Sequence, residues 1–169
     1  MPDVKFTQAK SGSDPLYLRE SEIRAGIELL FFAYRDFTAD PDDILKTYGF
    51  GRAHHRVIHF VGHTPGMTVA ELLKILRITK QSLSRVLKQL VDEGFIDQQT
   101  GTQDRRQRLL YLTDKGRALE QELSAPQRAR VARAYREAGP EAVAGYRKVL
   151  EHLINPDERE RILKAIKRD

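Results

Sequence analysis

The chain contains no cysteine, which excludes disulfide frameworks, cysteine-ligated zinc, catalytic thiols and thiol redox sensing together. Long apolar runs are also missing. The densest apolar stretch, Leu29 to Tyr34, falls far short of the roughly 20 residues that a membrane-spanning helix requires. Met1-Pro2-Asp3-Val4-Lys5 lacks the apolar core of a secretory signal. The expectation is a cytoplasmic protein with no membrane partner. Equally absent are a glycine-rich phosphate loop, a serine in a nucleophile elbow and the strand–helix alternation that builds a cofactor sheet. Acidic residues are scattered without a catalytic constellation, so neither an enzyme nor a bound cofactor is expected.

What is present suffices for a folded core: 40% of the 169 residues are hydrophobic and 31% are charged. That length fits one domain with extensions. Lys and Arg number 29 against 24 Asp and Glu, a net charge of +5. An excess of this size permits a polyanionic partner without requiring one, so the positions of the charges decide.

The first dozen residues are polar and aperiodic, and read as a loose arm. Asp14-Pro15 offers an N-cap acceptor and a proline at the first helical position. Ile23, Ile27, Leu30, Phe31 and Tyr34 then recur at helical spacing to about Phe37. Asp40-Pro41-Asp42 is expected to restart a short helix ending at Gly49. A further helix runs from about Arg52 to His63 and is broken by Thr64-Pro65-Gly66. Thr68 with Glu71 has the spacing of a capping box, and Thr79 caps a helix that Gly94 ends. The period then changes. Phe95 to Thr100 and Arg108 to Leu112 read as two strands around a polar hairpin loop. Thr113 caps a helix to about Ala138, which Pro126 is expected to kink or split. Gly139-Pro140-Glu141 opens another to Ile154, and Asn155-Pro156 opens the last.

Residues 68 to 113 therefore read helix, tight turn, helix, hairpin, the order of a helix-turn-helix unit followed by a two-stranded wing. Between Arg77 and Val91 every charge is positive: Arg77, Lys80, Arg85 and Lys88. The face opposite Leu83, Val86, Leu87 and Leu90 presents Lys80, Gln81, Ser84, Arg85 and Lys88, with Thr79 at the cap. These side chains donate to phosphates or reach base edges, and nothing beside them repels a polyanion. The hairpin loop adds Arg105, Arg106 and Arg108, a grouping suited to the negative potential of a narrow minor groove. Asp104 is placed to pre-orient one guanidinium through a bidentate pair.

From about Ile44 to Gly116 the chain resembles the MarR family of winged-helix transcription regulators. The resemblance rests on Tyr48-Gly49-Phe50, on the helix-turn-helix from Thr68 to Gly94, and on Asp104-Arg105-Arg106 followed by Leu110-Tyr111-Leu112-Thr113-Asp114-Lys115-Gly116. It implies a fold that is mainly α with a small β-hairpin wing, a winged helix-turn-helix flanked by long N- and C-terminal dimerisation helices. The corresponding divisions are a flexible arm (1–13), N-terminal dimerisation helices (14–49), the DNA-binding domain (50–113) and C-terminal dimerisation helices (114–169). It further implies a homodimer, most simply a repressor, on a palindromic stretch of double-stranded DNA. Arg106 would enter the minor groove with Asp104 as its buttress. Two departures stand out: Arg77 occupies a turn position often held by glycine, and Gly51 replaces a hydroxyl cap.

Four of the five histidines fall in one helix, at positions 54, 55, 59 and 63. His55, His59 and His63 share a stripe, a spacing that suits zinc, yet no carboxylate or cysteine partner is obvious nearby. A metal- or haem-responsive regulator is thus an alternative reading, as is a winged-helix module that binds protein instead of DNA. In the family such a helix borders the effector site, which would make Phe31, Tyr34, His55 and His59 a candidate pocket for a small-molecule effector. Arg128, Arg130, Arg133 and Arg136 alternate with small residues and read as a solvated face.

Overall fold

A computed structural model describes residues 15–166. A short 3-10 turn, Leu16–Leu18, precedes seven helices and three strands. These are α1 (Glu20–Thr47), α2 (Arg52–His63), β1 (Met67–Thr68), α3 (Val69–Leu76), α4 (Lys80–Asp92), β2 (Ile96–Thr100), β3 (Arg108–Leu112), α5 (Asp114–Ala138), α6 (Pro140–Leu153) and α7 (Pro156–Ile166). The fold is mainly helical with a winged helix-turn-helix, as the sequence implies. The proposed arm 1–13 and the cap at Asp14 lie outside the described residues, and the described helix begins at Glu20.

The chain divides into two units, residues up to Thr38 and residues from Ala39 onward. In the first, α1 carries Ile23, Ile27, Leu30 and Phe31 exposed, while Thr38 turns its hydroxyl back to the Tyr34 carbonyl at 2.9 Å. In the second, one core gathers Leu45, Phe50, three residues of α2 (Val57, Ile58, Val61), Met67, Leu72 and Leu76. Leu83, Val86, Leu87 and Leu90 of α4 join it, with Phe95, Ile96, Leu110, Leu112, Leu119 and Leu123. Each buried aliphatic side chain contributes about 1.5–3 kcal/mol, so this core and not helix propensity holds the lobe together.

One expectation fails at a proline: the short helix expected to restart at Asp40 is instead the continuation of α1 through Pro41. Pro126 does not split α5, which runs unbroken from Asp114 to Ala138. A proline inside a helix removes one amide donor; Pro41 is fully buried, and packing offsets that loss. A third strand joins the two expected from sequence. Residues Met67–Thr68 pair antiparallel with Leu110 and Leu109, giving the order β1-β3-β2. The hairpin itself pairs Ile96 with Leu112 through Thr100 with Arg108.

Candidate nucleic-acid interface

The second helix of the helix-turn-helix is positioned from both ends. Thr79 accepts the Ser82 amide at 3.1 Å and donates to the Ser82 hydroxyl at 2.8 Å, a cap that contributes about 1 kcal/mol. Leu83, Val86, Leu87 and Leu90 fix the inner face. On the outer face Lys80, Gln81, Ser84, Arg85 and Lys88 are all exposed. The first turn holds no acidic residue and begins with Lys80. A cation there opposes the helix dipole, an arrangement that an approaching phosphate reverses into attraction. Lys88 is the exception to an unopposed face, because its ammonium pairs with Asp92 one turn on. Asp92 lies just beyond the acid-free stretch, so its effect is not visible within it.

The C-terminal end of α4 is tied to the wing root. Gly94 adopts φ +77°, the left-handed conformation that glycine takes without strain. Thr113 donates its hydroxyl to the Gly94 carbonyl at 2.6 Å and accepts the Gly116 amide at 3.1 Å. Lys115 donates to the Glu93 carbonyl at 2.8 Å, with its ammonium 4.2 Å from the centre of the Phe95 ring. These contacts satisfy carbonyls that a helix end leaves orphaned. The Thr113-Asp114-Lys115-Gly116 signature thus works as a joint between α4 and the wing.

At the wing tip, the carboxylate of Asp104 accepts the backbone amide of Arg106 at 2.9 Å. The bidentate Asp104–guanidinium pair expected from sequence is replaced by this local backbone bond, typical of an aspartate in a turn. Gly101 donates to the Gln107 carbonyl at 3.0 Å, and a side chain at Gly101 would meet the Asp104 carbonyl at 2.6 Å. Arg105 and Arg106 are exposed, and no ion pair or hydrogen bond engages their guanidinium groups among the described residues. Arg108 points across the hairpin instead, donating to the Thr100 hydroxyl at 2.6 Å.

The histidines separate into two roles. His54, to which the sequence alone assigns none, stacks on Phe50 at 4.7 Å and accepts the Gly51 amide through Nδ1 at 3.1 Å. Its Nε2 then donates to Gln89 of α4 at 2.8 Å. His55 and His59 are half-buried on α2, and burial is the main force lowering both pKa values. Asp42 and Glu120 pull His55 back up against Arg56. For His59, neighbouring His63 adds to the lowering while Glu120 opposes it. The rings of His59 and His63 lie 4.7 Å apart, but no group of three or more histidine or acidic side chains is placed to hold a metal among the described residues. Phe31 and Tyr34 are exposed on α1.

Arg77, at the end of α3 in the turn position often held by glycine, is left-handed with φ 52° and ψ 39°, a conformation that strains any residue with a side chain. Its guanidinium reaches Glu158 of α7 at 2.6 Å. Arg130 pairs with Asp40 at 3.2 Å, and Arg128 reaches the Ser124 hydroxyl, so those two residues of the arginine-rich face have intramolecular partners. No described helix is long and apolar enough to cross a membrane.

Comparison with known proteins agrees with this geometry. A sequence profile described as MarR family matches residues 48–107. The HTH-type transcriptional regulator PetP of Rhodobacter capsulatus is 53% identical over 150 residues, covering 89% of this chain and 90% of that protein. Among solved structures, Streptococcus pneumoniae FabT in complex with DNA superposes with a TM-score of 0.67 at 23% identity, covering 86% of this chain and 99% of FabT. A mutant MarR from Escherichia coli, complexed with operator DNA, gives 0.60 at 19% identity, covering 84% and 100%.

Proposed function

Because this chain belongs to the MarR family of transcription regulators, we propose that it acts as a cytoplasmic homodimeric repressor on a palindromic duplex. Each copy would lay α4 in a major groove, with Lys80, Gln81, Ser84 and Arg85 toward the bases and phosphates, and Arg106 in the flanking minor groove. The observation that carries this reading is the exposed face of α4: cationic and amide side chains from Lys80 to Lys88 with no acid among them. FabT and MarR are each seen with DNA, in keeping with it.

Dimerisation through segments 14–49 and 114–169 is supported by apolar rows that their own unit leaves exposed. Ile23, Ile27, Leu30 and Phe31 on α1 are 49–65% exposed, and Tyr146, Val149 and Leu153 on α6 are 50–63% exposed. Two symmetry-related α4 helices would meet half-sites about 34–36 Å apart. Repression follows from occupying promoter DNA, and release by a small-molecule effector completes the scheme that the family resemblance implies. Selection from random duplexes tests the reading. Recovery of an inverted repeat is expected; enrichment of no sequence would refute it.

A further inference from the structure

The turn between α3 and α4 fixes the pose of the recognition helix, and Arg77 opens it. Arg77 is the only non-glycine residue with positive φ among the described residues. Glycine would fill that position with less strain, so the chain retains a side chain where the backbone favours none. The guanidinium spans 81 positions of sequence to bind Glu158 Oε2 at 2.6 Å. The second oxygen of the same carboxylate takes Arg161 at 2.7 Å, so Glu158 is held between two guanidinium groups and is only 25% exposed. The corner carrying Glu158 is itself secured. Arg159 donates to the carbonyls of His152 and Ile154, both at 3.2 Å, and the Asn155 carbonyl takes the Glu158 amide at 3.0 Å.

The geometry points to Arg77 and Glu158 as positioning residues: through this pair the last helix, α7, sets the pose of the turn and so of α4 on DNA. The inference rests on the DNA-binding reading above. It places the C-terminal helices in the specificity of the site, because a change at the α6–α7 corner is transmitted to the turn ahead of Thr79.

Charge alone predicts the opposite sign. Glu158→Gln removes a negative charge and frees Arg77 for a phosphate, which would tighten binding and steepen its salt dependence. Loss of the positioning pair instead weakens binding to the selected duplex, by about two- to fivefold per protomer on the scale of a partly exposed ion pair, with less effect on random duplex. Asp157→Asn changes the charge and the α7 dipole in the same way without touching Arg77, and is expected to keep the wild-type preference. In an Arg77→Gly background, Glu158→Gln should have no further effect. The experiment is anisotropy binding of the full chain and these variants to selected and random duplexes. Binding by Glu158→Gln that equals or exceeds wild type, or an equal loss in the Arg77→Gly background, would overturn the inference. Failure of the wild type to prefer any duplex would instead indict the DNA-binding reading itself.

Discussion

Arg106 has a pinned backbone and a guanidinium without a partner among the described residues, so folding asks little of its side chain. Arg106→Ala is expected to weaken duplex binding by about 1–3 kcal/mol while the melting temperature stays at the wild-type value; titration of a labelled duplex and thermal melting check the two halves. Asp104 was readable as a partner of that arginine, but which atom it would hold was not. A carboxylate two residues before an amide competes for the backbone first, and only coordinates show which contact wins. His55 and His59 yield a prediction about pH. Burial holds both below the usual 6.5, so as pH falls past that value the unfolded chain takes up protons that the folded chain refuses. Thermal stability should therefore hold near pH 7 and decline through pH 6 and below. His59→Gln should flatten the decline, as melting curves across that range would show.

Helix ends were the legible elements. Thr68, Thr79, Gly94 and Thr113 sit where their side chains or their φ freedom satisfy orphaned backbone groups, and local chemistry suffices to place them. Long-range compensation was not legible. Pro41 signalled a break because a missing amide is local, whereas the burial that offsets it comes from distant residues. Strand β1 spans two residues, too few for an alternating pattern to register. The joint between α4 and the wing was recognisable as a motif but not as a mechanism. Gly116 packs so closely that an added Cβ would lie 2.1 Å from the Phe95 carbonyl oxygen. Gly116→Ala should cost about 1–3 kcal/mol of stability by overpacking and lower duplex affinity by shifting the wing against α4. Urea unfolding and binding of the same preparation would test both.

For the whole molecule, the DNA lobe explains where its own apolar residues go, while the rows on α1 and α6 remain uncovered. The helical spacing of the α1 row could be read from sequence, but its exposure could not, because periodicity reports a face and not what meets it. Leu30→Glu combined with Phe31→Glu should leave single chains in sedimentation. Duplex affinity should fall about a hundredfold or more, since linked half-sites no longer share one binding event. On the proposed function, two cationic α4 faces and two arginine-tipped wings grip one duplex, and anisotropy titration of a selected inverted repeat over a range of salt concentrations decides whether they do. Two chains per duplex are expected, with a log-linear loss of affinity with salt at a slope of about −0.9 for each phosphate neutralised. Affinity indifferent to salt, or no binding even at low ionic strength, would refute that grip.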